Sequence, residues 1–206
     1  MNYKSLILAF LISITSHLCS AQKLYIWCPE SHEVKAHTGF LSGQDVNLVV
    51  FDGRTIPSNS RVKCDAENIQ QALAKYIQTI YPSCHIKILS DSDYYKPSIQ
   101  GRITIKIGIS AYQAGFGTDI NVGIGSVGGK FSYGVFPQGK WNGLVSYYVQ
   151  VFDNRKEGSK KLSKEIAEVT SKSNIWGYKT AKDCLYASYD QANTELTNFI
   201  EDTLMQ

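Results

Sequence analysis

The chain has 206 residues, of which 43% are hydrophobic, 12% aromatic and 19% charged. That is enough for one domain with a core, and too apolar for wholesale disorder. A formal net charge of +3 is too mild for a dedicated nucleic-acid binder, and 16 glycines with 5 prolines exclude a collagen-like or low-complexity chain.

Residues 1–21 read as a secretory leader. Lys4 is its lone charge, Leu6 to Ile14 its apolar centre, and Cys19-Ser20-Ala21 offers small residues for cleavage after Ala21. The apolar run is about half of the ~20 residues that span a bilayer. Cys19 follows Ser16, His17 and Leu18, and a bulky Leu18 does not suit lipid modification. No later segment is apolar and long enough to span. The expectation is an exported bacterial protein, periplasmic or secreted, with residues 22–206 as a single domain.

Removing residues 1–21 from 206 leaves 185, with 20 basic and 18 acidic side chains and the cysteines Cys28, Cys64, Cys84 and Cys184. An even count behind an export signal predicts two disulfides. Cys64 and Cys84 flank a predicted helix over 20 Å long at about 1.5 Å per residue, beyond the ~7 Å a disulfide allows. Cys28–Cys64 with Cys84–Cys184, or Cys28–Cys84 with Cys64–Cys184, remain open.

Along the chain, Val46 to Asp52 predicts a central strand, and Gly53 to Ser60 carries turn residues. Ile69, Ala72, Leu73, Tyr76, Ile77 and Ile80 fall at helical spacing between an N-cap at Asp65 and a stop at Pro82. His85 to Leu89 is a brief strand, and Asp91 to Gln100 a polar loop. Ile103, Ile105, Ile107 and Ile109 alternate with Arg102, Thr104, Lys106 and Gly108, which predicts a strand with one buried and one solvated face.

Glycines punctuate Gly115 to Gly139, where strand extensions and hairpins are expected. Trp141 to Asp153 predicts a long strand with Val145, Tyr147, Val149 and Val151 on one face. Lys160 to Ser171 has helical spacing at Leu162, Ile166 and Val169, but it sits where the hairpin partner of 141–153 falls, and we read it as strand. Leu185 to Leu204 predicts a second amphipathic helix, capped at Thr180 with Asp183 three residues on. The fold class is α+β: a mostly antiparallel sheet in the order β-α-β-β-β-β-α, with both helices on one face.

Gly123 to Gly128 matches G-x-G-x-x-G, but strand and turn residues follow it instead of the helix a dinucleotide site needs. His32, Glu33 and His37 are the candidate metal ligands near Cys28. Their H-E-x-x-x-H spacing turns the two histidines about 140° apart on a helix, so no bound metal is expected. There is no G-x-S-x-G elbow. Asp91 and Asp93 lack the further oxygens of a calcium loop.

Aromatics concentrate between Tyr94 and Tyr148, and most should pack in the core. Phe131, Tyr133, Phe136 and Trp141, in and beside the glycine-rich hairpins, are the candidate partner-binding residues.

An export signal, a strand ending Val49-Val50-Phe51-Asp52-Gly53-Arg54, the helix at 69–80, the isoleucine strand, a long hairpin at 141–170 and a closing helix together resemble the YajG-like small envelope lipoproteins of Gram-negative bacteria. The resemblance covers about positions 46–204 and rests on element order. It implies a compact α+β domain in the cell envelope with an accessory or binding role, and it carries over no catalytic residue. The functional expectation is a non-enzymatic envelope protein that binds another envelope protein or a surface component, without cofactor or nucleic acid. Its contact surface is the outer face of the sheet or the 115–140 hairpins. A metal-assisted hydrolase and a self-assembling surface protein are the alternatives.

Overall fold

The computed structural model describes residues 23–30, 34–97, 102–117, 125–127, 130–132, 139–155 and 160–205. The strands are β1 (Tyr25–Ile26), β2 (Asp45–Asp52), β3 (Arg61–Val62), β4 (His85–Ile88), β5 (Ile103–Phe116), β6 (Gly125–Val127), β7 (Lys130–Ser132), β8 (Lys140–Asp153) and β9 (Lys160–Ser173). The helices are α1 (Ala66–Ile80) and α2 (Tyr178–Met205). All strands but β6 and β7 form one mixed sheet. Its centre is β5, flanked on one side by β8 and on the other by β2 and, further along, β1.

The long β5–β8 and β8–β9 pairs are antiparallel, and β2 runs parallel to both β5 and β4. A parallel β2–β4 pair needs a crossover, and α1 supplies it. Asp65 accepts a hydrogen bond from the Asn68 amide at 2.8 Å, so the N-cap stands where the sequence places it.

The two helices share one face of the sheet. Ile69, Leu73 and Ile77 of α1 and Leu185, Leu196 and Ile200 of α2 join Leu48, Ile105, Val149 and Val151 in one core. Ser110 is an extra residue in β5, its hydroxyl donating to the Ser146 carbonyl at 3.2 Å. The bulge shifts the alternation, so Ile103, Ile105, Ile107 and Ile109 face the helices before it and Tyr112 and Ala114 after it.

Helix α2 lies against the backbone of β8 at Gly143, where a Cβ would come 2.4 Å from the Cys184 carbonyl carbon and the Leu185 nitrogen. The Ser188 hydroxyl fills that approach, donating to the Gly143 carbonyl at 2.9 Å and accepting from the Thr170 amide at 2.8 Å. Glycine is required here because helix and strand backbones touch.

Four expectations change. The second face of β5 is not solvated: Thr104 and Lys106 are buried beneath the segment after β4, and the Lys106 ammonium donates to the carbonyls of Tyr94, at 2.8 Å, and Lys96. A tertiary cover therefore hides a face that alternation alone makes polar. The outer face of the central strands is for the same reason not an open contact surface.

One disulfide replaces the two. Cys28 pairs with Cys64, while Cys84 and Cys184 are free thiols. Cys84 follows the C-terminal end of α1 and Cys184 lies in the first turns of α2, at opposite ends of the sheet. Burial raises the pKa of both thiols, which favours their protonated form.

Helix α2 starts at Tyr178 rather than after Thr180, whose hydroxyl instead accepts from the Trp176 amide at 3.0 Å. In β9, Leu162 and Ile166 face inward while Val169 points out, because fourteen registered pairs with β8 impose period two over the helical spacing.

Candidate functional site

The sheet has two ends. At one, β5 finishes and β8 begins, at Phe116 and Trp141; at the other, β5 begins and β8 finishes, at Ile103 and Asp153. The Trp141 end gathers side chains from β1, β3, β8 and the start of α2.

Tyr25 of β1 stands beside Ala114 of β5 and Arg61 of β3. Its ring meets Trp141 edge-on at 5.4 Å, Tyr178 at 5.1 Å and Trp27 in a stack at 5.9 Å. The Arg61 guanidinium lies 5.6 Å from the Tyr178 ring centroid. Tyr25, Trp27, Tyr178 and Arg61, with Lys63, Lys179 and Lys182, line a hollow of about 240 Å³.

The turn into α2 is held by the Trp141 indole, whose N–H donates to the Asn174 side-chain oxygen at 3.0 Å. The Gly177 amide donates to that same oxygen at 3.1 Å, with Gly177 at a φ of 56°. The turn thereby projects Ile175 and Trp176, which are 71% and 73% exposed, and Tyr178 beside them is 51% exposed. An exposed tryptophan and isoleucine on a pinned turn have no structural purpose within the domain, so they are candidates for contact with something else.

The charge here is one-sided. Lys182 is paired with Glu30 at 2.6 Å, but among the described residues no carboxylate forms an ion pair with Arg61, Lys63 or Lys179. The Tyr178 hydroxyl reports this field. Its pKa is lowered, first by a hydrogen bond from Tyr25 and then by Arg61 and Lys23. The Tyr25 hydroxyl is raised, first by burial and then by that bond. The disulfide ties the segment that carries Tyr25 and Trp27 to the residue before the N-cap of α1.

A second hollow, of about 500 Å³, lies between the helices. Ala72, Tyr76 and Thr79 form one wall and Tyr189, Asn193 and Thr194 the other. The Tyr76 hydroxyl donates to the Asn193 carbonyl at 3.2 Å, and the Tyr147 hydroxyl to the Asn193 side chain at 3.1 Å. The tyrosine and asparagine groups at its centre are thus engaged with one another.

Of the sequence candidates, Trp141 is 6% exposed and anchors the aromatic cluster from beneath, so it supports the surface instead of forming it. Phe131 lies in β7, and Tyr133 and Phe136 fall outside the described residues. The hairpin β6–β7 pairs Gly125 with Ser132, placing part of the G-x-G-x-x-G run on a strand. His32 and Glu33 lie outside the described residues. His37 meets Glu201 at 2.5 Å on the far end of the molecule, and among the described residues no cluster of metal-ligating side chains forms. Asp91 accepts from Gln70 at 2.9 Å and Asp93 from Lys96 at 2.6 Å, so both tie down the segment after β4.

Sequence reasoning missed Tyr25, Trp27, Arg61, Ile175, Trp176 and Tyr178. A usable signal was present at 174–177, where Asn174-Ile175-Trp176-Gly177 places two large apolar residues in a short polar connection.

No family model and no curated protein sequence matches this chain. Among solved structures, the hypothetical protein CT253 from Chlamydia trachomatis is similar at 12% identity and a TM-score of 0.44, covering 79% of this chain and 98% of its own. An uncharacterised protein follows at 10% identity and a TM-score of 0.39, with 88% and 98% covered. The lipoprotein GNA1162 from Neisseria meningitidis has 10% identity and a TM-score of 0.37, with 75% and 99% covered. At these identities the function of this chain must be argued from its own surface. Among the described residues, no helix is long and apolar enough to cross a membrane.

Proposed function

We propose that this chain is an exported, non-enzymatic binding domain of the bacterial cell envelope, and that it engages its partner through the aromatic and basic surface at the Trp141 end. The observation that carries this reading is the pinned turn that exposes Ile175 and Trp176 beside Arg61, Lys63 and Lys179. Export is supported by the leader-like residues 1–21 and by the Cys28–Cys64 disulfide, which persists in oxidising compartments. Residues 22–206 act as one domain, and the YajG-like element order agrees with an accessory role.

The test is in-cell cross-linking of the tagged protein in its own host, comparing the natural chain with Trp176→Ser. Loss of envelope cross-links in a variant that remains folded supports the reading. Cross-links unchanged by the substitution place the contact elsewhere.

A further inference from the structure

We propose that the occupant of this surface is the face of an anionic phospholipid bilayer, with Ile175 and Trp176 entering the headgroup region and Arg61, Lys63 and Lys179 meeting lipid phosphates. The inference rests on the binding-domain reading and names its partner. Three features of the site favour a bilayer face over a folded protein. The exposed apolar side chains project from a turn instead of lining a groove, which suits insertion into a soft surface. Trp176 and Tyr178 are amphipathic rings of the kind that settle at the membrane interface, with cations alongside.

Charge complementarity supplies the third. The hollow between Tyr25, Trp27 and Tyr178 is walled by Arg61, Lys63, Lys179 and Lys182, and among the described residues only Lys182 of these four is ion-paired, with Glu30. A volume of about 240 Å³ admits a phosphate-bearing headgroup. Surface contact by one short turn gives shallow, reversible binding that depends on anionic lipid and weakens with salt.

The experiment uses the protein in the form its host produces, sedimented with vesicles of phosphatidylglycerol and phosphatidylethanolamine or of phosphatidylcholine alone. The expected result is binding to the anionic vesicles, about fivefold weaker for each cation removed in Arg61→Gln and Lys63→Gln. Ile175→Ser/Trp176→Ser should abolish binding at an unchanged melting temperature, and the blue shift of tryptophan emission on adding anionic vesicles should vanish with it. Equal binding to both vesicle types, binding that survives the double substitution, or full competition by inorganic phosphate each overturns the proposal. If vesicles are ignored while Trp176→Ser still removes cross-links in cells, the bilayer is the wrong partner and the binding-domain reading stands. If neither responds, both fall.

Discussion

The two ends of the sheet are built from different chemistry. At the Asp153 end, the described side chains are mostly paired: His37 with Glu201, His85 and Arg102 with Asp45, and Arg155 with Asp153, while Lys161 lies over the Phe152 ring. At the Trp141 end, cations crowd around clustered rings, and among the described residues one of those cations is ion-paired, Lys182 with Glu30. Matched, exposed pairs satisfy themselves and leave water as the neighbour. Unmatched cations beside exposed aromatic rings leave interactions unmade, which is what a contact surface requires. The difference cannot be read from net charge, because both ends contribute to the same modest total.

The comparison can be broken or sharpened by perturbations of decreasing size. The largest is alkaline pH, which acts on the layer between the ends. Burial pushes the Tyr189 pKa up to about 12, and raises Tyr112 and Tyr147 as well. A group whose folded pKa is raised contributes stability that is intact below the unfolded value near 10 and is lost as pH climbs through the folded value. Tyr189 alone accounts for about 2–3 kcal/mol. Tyrosinate absorbance and helical circular dichroism should therefore change together above about pH 10, at both ends of the molecule. A tyrosinate rise without loss of helix would refute this.

Gly143→Ala comes next, because its methyl group meets the backbone of α2. We expect a loss of at least about 3 kcal/mol in denaturant unfolding, with the Trp141 end loosened first. A neutral result would mean that α2 does not rest on β8 there.

Cys28→Ser/Cys64→Ser opens a disulfide with a sequence separation of 36. The expected cost is about 3–4 kcal/mol, and protection of the Arg61 and Lys63 amides against hydrogen exchange should fall, since both donate into the strand that carries Tyr25. Unchanged exchange would show that β1 and β3 hold without the bridge.

At the matched end, Glu201→Gln should cost less than about 1 kcal/mol, since the His37–Glu201 pair is partly solvated. The smallest stability effect belongs to Ile175→Ser/Trp176→Ser, within about 0.5 kcal/mol. A large loss on calorimetry would mean that these side chains support the fold and are not a spare surface.

Much of the architecture was legible because it depends on periodicity. Ile69 to Ile80 can bury its apolar stripe only as a helix, and the isoleucines at 103, 105, 107 and 109 can share a face only as a strand. The amphipathic helix, the central strands and the long hairpin follow from such local rules. The site was barely legible. Trp141 drew attention because aromatic residues cluster around it in sequence, yet it is buried, and the residues it supports come from three other segments.

The residues alone determined the alternation of the main elements and the N-cap of α1 at Asp65, because those are properties of neighbours a few positions apart. Tertiary structure decided which cysteines meet, that the polar face of β5 is covered, and that Tyr25, Arg61 and Tyr178 form one surface. Each of those depends on contacts between segments tens of residues apart, and nothing local in the chain encodes such distances.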